Sequence, residues 1–285
     1  MTDRTLLAAL SKFRGHAELP VSQFTKAQQF VLDRFAGQTR ALLRKAQGRG
    51  GVYQVLQQEI LAAHLNALSP GGSADLGGLP ARARHIANAR NSKSAAHRHD
   101  KYNLLFKACS AQVSWKETQA ATLLPLSDHT RDFGVAALSI TPSDHWQTDQ
   151  DLWLVENQAL FDRTDWLPTA TKGSIAYYGG QLNGVLLAWM ATRERAPRVI
   201  LFPDYDGVGF ANYTRLHQLL GERCTFWLMP DWREKLAVYG NRQLWQDTRA
   251  ELERVQPQLP SSLNELLEQM AIQGLALEQE SVWLD

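Results

Sequence analysis

Residues 199–209, VILFPDYDGVG, run from an apolar strand straight into two aspartates and two glycines. Side chains two positions apart on an extended segment point the same way, so Asp204 and Asp206 can direct both carboxylates to one place. Gly207 and Gly209 permit a sharp turn before a helix expected over 210–220, whose free amides would tolerate a phosphate. The segment therefore predicts a strand-to-helix turn where the chemistry of the chain takes place.

Either aspartate alone could serve only as a helix cap, because Asp is a common N-cap residue. A second acidic strand end favours a site, since Glu156 closes the short apolar run 152–155. Further apolar strands over 175–178 and 225–229 alternate with helical patterns, including 181–193, which is typical of an α/β fold with a mainly parallel, Rossmann-like sheet. Ligands of such sheets bind beyond the carboxyl ends of the strands, where all three carboxylates would lie and could hold a hard divalent cation.

Charge divides the chain into two halves. Residues 1–125 carry 17 Lys and Arg against 7 Asp and Glu, whereas residues 126–285 carry 13 against 22, which gives net charges of +10 and −9. All nine tryptophans lie at or after Trp115. The contrast predicts a basic, polyanion-binding domain over 1–125, a linker over 126–150 and a carboxylate-rich α/β domain over 151–285.

The two cysteines, Cys109 and Cys224, have neither a disulfide pattern nor a zinc-ligand spacing, which favours a reducing, cytoplasmic setting. The N-terminus lacks the pattern of a secretory signal, and no apolar run approaches the ~20 residues that a membrane helix needs. We therefore expect a soluble protein that makes no use of a membrane.

The first half is expected to be mostly helical, with helices over 22–49, 51–68 and 81–108, as in a helix-turn-helix or winged-helix module. Its densest positive segment is opposed only by Asp100. A solvated helix face would explain such a run, but its single sign favours contact with DNA phosphates. The predicted DNA-binding residues are Arg82, Arg84, Arg90, Lys93, Arg98 and Lys101.

These motifs together resemble a Toprim domain: Glu156 after a strand, a turn at Gly179-Gly180, and Asp204-Tyr-Asp206-Gly-x-Gly209. More narrowly, VEN, YYGGQLNGVLLAWM, FPDYDGVGFANYTRL and LEQE, in order over the last 135 residues, resemble the C-terminal nuclease domain of the JetD family. JetD proteins are the cleaving subunits of Wadjet plasmid-defence systems and are distantly similar to the A subunit of topoisomerase VI. The resemblance implies a Mg²⁺- or Mn²⁺-dependent endonuclease that cuts double-stranded DNA as a homodimer under the control of an SMC-type ATPase complex.

The resemblance also implies roles for individual residues. Glu156, Asp204 and Asp206 would be catalytic, the same three with Glu280 would bind metal, and Gly180, Gly207, Gly209 and Gln279 would support the site. The metal would neutralise the scissile phosphate and activate a water molecule. Because clustered carboxylates repel one another without a cation, we expect raised carboxylate pKa values in the metal-free site.

Three alternatives stay open. As in topoisomerase VI, a tyrosine could attack the phosphate covalently, with Tyr53 and Tyr102 as candidates, although each is more simply explained as an ordinary aromatic residue. The apolar strand that ends in DxDG also resembles haloacid-dehalogenase-type phosphatases, but the chain lacks a convincing later acidic pair. The third alternative is a non-catalytic, DNA-binding adaptor of an SMC complex.

Overall fold

A computed structural model describes residues 2–48, 50–71, 77–89 and 100–285, and its backbone divides into two compact units. The first covers residues 1–98 and the second residues 99–285. This division corrects the predicted boundary, because residues 102–147, which had been assigned to the basic domain and the linker, supply strands to the second unit. The basic residues remain concentrated in the first unit, which carries 14 Lys and Arg against 5 Asp and Glu.

The first unit combines a small antiparallel sheet with helices. Its elements are α1 (Thr2–Ser11), β1 (Glu18–Pro20), α2 (Lys26–Thr39), β2 (Leu42–Gln47), β3 (Gly50–Val55), α3 (Gln58–Leu68) and α4 (Ala81–Ala89). The strands lie in the order β1-β3-β2, with every pair antiparallel. Phe13, Phe24, Leu32 and Tyr53 are buried at the centre of this unit.

All three helices predicted for the first half of the chain are wrong over part of their length. Helix α2 begins with a capping box in which Thr25 and Gln28 satisfy each other's backbone amides, and it ends at Arg40, which is left-handed with φ of 53°. The chain then forms the β2–β3 pair where helix was expected over 42–55. Residues 102–108, also predicted as helix, form a strand of the second unit.

The second unit contains the larger sheet. Its elements are β4 (Tyr102–Ala108), β5 (Trp115–Glu117), β6 (Thr122–Leu124), α5 (Leu126–Phe133), β7 (Ala136–Ile140), β8 (Trp146–Gln147), β9 (Leu152–Val155), α6 (Gln158–Asp162), β10 (Ser174–Tyr177), α7 (Gly184–Thr192), β11 (Val199–Phe202), α8 (Gly207–Leu220), β12 (Cys224–Phe226), α9 (Trp232–Tyr239), α10 (Arg242–Val255) and α11 (Asn264–Gln273). The predicted α/β class and the four predicted strands of this unit are confirmed, with small shifts at their ends.

The main sheet has six strands in the order β12-β11-β9-β10-β4-β7. Strands β12, β11, β9 and β10 are parallel to one another, and β4 and β7 extend the sheet from β10 in antiparallel fashion. From β9 the chain moves to β10 on one side, whereas from β11 it moves to β12 on the other. The neighbouring strands β9 and β11 therefore flank a topological switch point, where open α/β sheets bind their ligands.

Aromatic side chains form the core beneath this switch point. The rings of Trp153, Trp166, Phe202 and Trp227 pack edge to face or tilted, with centroids 4.5 to 5.8 Å apart. Such pairs add about 0.5–1.5 kcal/mol each beyond the burial of their area. They hold the ends of β9 and β11 rigidly together. None of the helices that the structure describes is long and apolar enough to cross a membrane.

Candidate active site at the switch point

The carboxyl ends of β9, β10 and β11 lie level with one another. Val155 is paired with Tyr177 on one side and with Phe202 on the other. The residues that follow, Glu156 and Asp204 among them, therefore leave the sheet at the same edge. The carboxylate of Glu156 accepts hydrogen bonds from the Asp204 backbone and, at 3.1 Å, from the hydroxyl of Tyr178. The sequence prediction that Glu156 and Asp204 converge is thus supported by their contact.

Asp206 caps a helix, the role that the sequence analysis allowed for either aspartate alone. Its Oδ1 accepts a hydrogen bond of 2.7 Å from the amide of Gly209 and caps α8. The capping bond occupies one carboxylate oxygen. The side chain also remains electrostatically coupled to Glu156 and Asp204, since it raises the pKa of both.

Gly207 and Gly209 are required by close packing. A Cβ atom on Gly207 would lie 2.0 Å from the carbonyl oxygen of Thr248 on α10, and one on Gly209 would lie 2.0 Å from the carbonyl oxygen of Asp204. The Thr248 hydroxyl also accepts the amide hydrogen of Gly207 at 3.1 Å. The two glycines therefore let α10 and the strand end approach the start of α8, a reason that differs from the turn flexibility inferred from the sequence.

Residues near 280 reach the site through a short strand-like pairing. Leu277 pairs with Tyr205 through two backbone hydrogen bonds of 2.8 and 3.2 Å. The amide of Gln279 then donates to Asp204 Oδ1 at 2.8 Å. The Gln279 side chain is fully buried, and its amide group accepts from the backbone of Asn157 at 3.2 Å and donates to the carbonyl of Phe202 at 3.4 Å. Gln279 therefore ties together the ends of β9 and β11.

Asn157 is a site residue to which the sequence analysis gave no role. Its side-chain amide donates to Glu280 Oε2 at 3.0 Å and to Asp204 Oδ1 at 3.5 Å. The predicted metal ligand Glu280 is thereby held beside Asp204, and its charge contributes to the raised pKa of Asp204. The sequence did carry a signal for this role, because Asn157 directly follows Glu156 at the end of the same strand.

Tyr178 is a second residue that the analysis missed, although it lies in a quoted motif. Its ring is buried, and its hydroxyl donates to Glu156.

The buried side chain of Asn212 on α8 donates to the carbonyl of Gly180 at 2.9 Å and accepts from the amide of Leu182 at 3.2 Å. Gly180, with φ of 68°, adopts a left-handed conformation that suits glycine. The predicted supporting role of Gly180 thus has a structural basis in its bond to α8.

The electrostatics agree with the expectation of repelling carboxylates. Burial and the neighbouring charge of Asp204 raise the pKa of Glu156 to about 8. Burial, with the charges of Asp206, Glu280 and the nearby Glu278, raises the pKa of Asp204 to about 7. Burial and the nearby acids also raise the pKa of Asp206, although amide hydrogen bonds oppose the shift. The ionised cluster therefore carries a free-energy penalty in the folded chain.

The carboxylates of Glu156, Asp204, Asp206 and Glu280 form an acidic cluster that offers only oxygen ligands, which Mg²⁺ and Mn²⁺ prefer. Within the described residues, no group of three or more His, Cys, Asp or Glu side chains is arranged to hold an ion. The capping bond of Asp206 and the hydrogen bonds of Asp204 point their oxygens to protein donors. The donor chemistry and the repulsion between the acids nevertheless fit a hard cation.

The predicted DNA-binding residues do not all belong to one unit. Arg82 and Arg84 lie exposed on α4 in the first unit, whereas Lys101 is exposed at the start of the second. Arg90, Lys93 and Arg98 lie outside the described residues.

The candidate tyrosine nucleophiles have different surroundings. Tyr53 is buried in the first unit and donates a 2.7 Å hydrogen bond to Asp33, while burial and this carboxylate raise its pKa. Tyr102 lies near the switch point and donates to the carbonyl of Tyr178 at 3.3 Å, and burial raises its pKa also. Raised phenol pKa values disfavour both as nucleophiles, because less phenolate is present at neutral pH.

Comparison with known families identifies the second unit. Residues 106–284 match the model of a domain of unknown function, DUF7281. The chain belongs to this family. The match begins within β4 and includes Gln279 and Glu280, so it covers the sheet and the whole cluster described above. No curated protein matches the chain.

Proposed function

We propose that the second unit is a Toprim-type nuclease domain and that the chain is a metal-dependent endonuclease acting on double-stranded DNA. The observation that carries the proposal is the electrostatic coupling between Glu156 and Asp204, two half-buried carboxylates with raised pKa values that flank the switch point of the sheet. Acids that repel one another at a ligand-binding edge are more typical of functional sites than of structural ones.

Four carboxylates would hold the metal: Glu156, Asp204, Asp206 and Glu280. When bound, a divalent ion supplies charge neutralisation at the phosphate and acidifies a bound water. The chain itself does the positioning. Tyr178 holds one oxygen of Glu156, while Gln279 and Asn157 both donate to Oδ1 of Asp204. Because the four acids are not arranged around an ion in the described structure, binding of the metal would have to draw them together.

The proposal gives the first unit the role of holding DNA. Its order of α1, β1, α2, β2 and β3, with the sheet order β1-β3-β2, supports a winged-helix module. The high positive charge of the unit favours a polyanion. Within this proposal, Arg82 and Arg84 contact phosphates from the exposed face of α4.

The motifs that resemble JetD support a more specific proposal. The chain would act in the cytoplasm as the nuclease subunit of a Wadjet-like plasmid-defence system, as a homodimer that cuts both strands under the control of an SMC-type ATPase complex. Because a free nuclease would endanger its host, such control fits the activity. Co-purification with the products of neighbouring genes, and the mass of the complex, would test this part.

A plasmid-nicking assay tests the nuclease proposal. Supercoiled DNA with the intact chain should be nicked or linearised with Mg²⁺ or Mn²⁺ and stay intact in EDTA. Asp204→Asn should lower the rate by at least 10²-fold, because it removes a charge from the proposed metal site. Asp247→Asn is the matched control, since Asp247 is an exposed carboxylate on α10 whose side chain is bonded to Gln243.

Other outcomes would select the alternatives. Full cleavage by Asp204→Asn would remove the metal assignment, and cleavage by neither protein would favour an adaptor. A covalent protein–DNA adduct would favour the tyrosine route, with Tyr102→Phe rather than Asp247→Asn abolishing it. Hydrolysis of p-nitrophenyl phosphate without action on DNA would favour the phosphatase alternative.

A further inference from the structure

A groove of about 530 Å³ with polar and apolar lining residues lies between α8 and α10, near the candidate site. On α8, a row of residues at helical spacing lines it, from Val208 through Asn212 and Arg215 to Gln218. Helix α10 contributes Glu251 and Arg254. At 1.5 Å per residue, the α8 row is about 15 Å long. The lined face of α8 is therefore long enough to follow several nucleotides of one strand at about 3.4 Å per step.

One end of the groove lies near Asp206 and the Gly179-Gly180 turn, although none of the clustered acids lines it. Val208 follows the helix cap Asp206 by two residues, and the charge of Glu251 contributes to the raised pKa of Asp206. Asn212, which lines the groove, is bonded to the Gly180 turn. A chain molecule whose reacting group lay at the switch point would thus continue into the groove.

Arg215 has the properties of an anion-binding side chain. Its guanidinium donates to the carbonyl of Leu182 at 3.0 Å and to Asn212 at 3.4 Å, which fixes its direction. Two of its five N–H groups are used in this way, so three remain for an anion.

Arg215 also lacks the carboxylate partner that is usual in this unit. Of the eleven arginines at positions 99–285, eight form ion pairs with carboxylates among the described residues, and Arg215 does not. The unit as a whole carries 16 Lys and Arg against 24 Asp and Glu. Arg215 is thus a positively charged side chain that is held in place by hydrogen bonds and has no carboxylate partner in the described part of the chain, although its unit is acidic. A role in solubility would not require its guanidinium to be held in this way.

We propose that this groove binds the phosphates of a nucleic-acid strand that passes through the candidate site, with Arg215 as its principal phosphate ligand. The proposal rests on the nuclease function proposed above and assigns a substrate-binding surface to the second unit itself. Gln181, Gln218 and Gln258 supply neutral amide donors along the same groove. Arg254 is paired with Glu251 at 2.7 Å, so it contributes less net charge than Arg215.

An NMR titration of the intact chain with tetrathymidylate in EDTA tests the groove. The Kd is taken from the amide signals of α8 and α10, because the proposed phosphate contacts of the first unit would also contribute to the binding of the whole chain. Arg215→Ala should raise the Kd about tenfold or more, the usual effect of losing a charge-assisted hydrogen bond. Arg215→Lys should bind more tightly than Arg215→Ala but less tightly than wild type, because it keeps the positive charge but loses the planar guanidinium that can donate two parallel hydrogen bonds. Arg249→Ala is the matched control, since Arg249 is an exposed arginine of α10 that pairs with Glu253 and does not line the groove.

The inference is overturned if the wild-type chain does not bind tetrathymidylate, if Arg215→Ala binds within twofold of wild type, or if Arg249→Ala loses as much affinity. If Arg215→Ala does not fold, Arg215→Gln, which can still donate to Leu182, decides in its place. The titration needs no metal and no cleavage. If the chain binds tetrathymidylate through Arg215 but never nicks DNA, the groove proposal stands and the nuclease proposal is refuted. If Arg215→Ala nicks DNA with an unchanged KM, the nuclease proposal stands and the groove proposal is refuted.

Discussion

Replacing Asp204 by Asn should stabilise the metal-free chain at alkaline pH. The amide keeps an oxygen that can accept from the Gln279 amide, so the local hydrogen bond survives while the charge is removed. The folded chain raises the pKa of Asp204 from its ordinary 3.8 to about 7. At about 1.4 kcal/mol per pKa unit, the ionised carboxylate costs the folded state on the order of 4 kcal/mol.

The sign of the pH dependence follows from this raised value. A group with a raised folded pKa stabilises the protein fully below its unfolded pKa and loses that contribution as the pH rises through the folded pKa. The wild-type second unit should thus lose stability relative to Asp204→Asn between about pH 4 and 7. Glu156, whose pKa is about 8, should extend the loss to higher pH. Removing one acid also relieves its repulsion on the other, so the two effects do not simply add.

Tryptophan emission isolates the second unit, because all nine tryptophans lie within residues 99–285. Urea unfolding of both proteins in EDTA at pH 5 and pH 8 gives the difference in unfolding free energy at each pH. We expect the advantage of Asp204→Asn to be about 2 kcal/mol at pH 5 and on the order of 4 kcal/mol at pH 8. Mg²⁺ should narrow the gap by stabilising only the wild type.

An equal difference at both pH values, or a loss of stability by Asp204→Asn at pH 8, would refute the reasoning. Either result would mean that the carboxylate is compensated within the metal-free fold. The difference between the two proteins is the decisive quantity, since acids elsewhere titrate identically in both. Asp247→Asn, the exposed control on α10, should show no such change with pH.

Two further changes probe the surroundings of the site. Gly207→Ala should destabilise the second unit by several kcal/mol in the same urea assay, because its Cβ would overlap the Thr248 carbonyl, whereas Gly184→Ala, with no atom within 4 Å, should be tolerated. Tyr178→Phe removes a hydrogen bond that lowers the pKa of Glu156. It should therefore shift the rising limb of the pH–rate profile for nicking to higher pH, and an unchanged limb would contradict that role.

The sequence carried enough information for the parallel core of the second unit. Strands β9 and β11 are uniformly buried, so their continuous apolar runs and the polar residues that follow them were easy to recognise. The contact between Glu156 and Asp204 follows from strand adjacency. The roles of Tyr178 and Asn212 could not be read in the same way, because they depend on the conformation of the Gly179-Gly180 turn and on how α8 packs there.

The errors lie where apolar residues suit two periodicities. The helix predicted over 22–49 includes the apolar residues Phe30 and Leu43, yet both side chains are exposed, and α2 ends between them. The alternating burial of Leu104 and Phe106 has the two-residue period of a strand, but the short run was read as helical. In both places, pairing with other strands overrode the local helical pattern. Such pairing cannot be read from the sequence of one segment alone.

The segment around residue 279 shows why the carboxylates stay close together. A buried glutamine without partners would be costly, but Gln279 satisfies its side-chain amide with the backbones of Asn157 and Phe202, and its own amide with Asp204. The same segment is fastened by backbone pairing of Leu277 with Tyr205. Because three segments distant in sequence share these bonds, the acids cannot separate to relieve their repulsion without breaking the fold. Protonation or a bound cation is then the available means of relief.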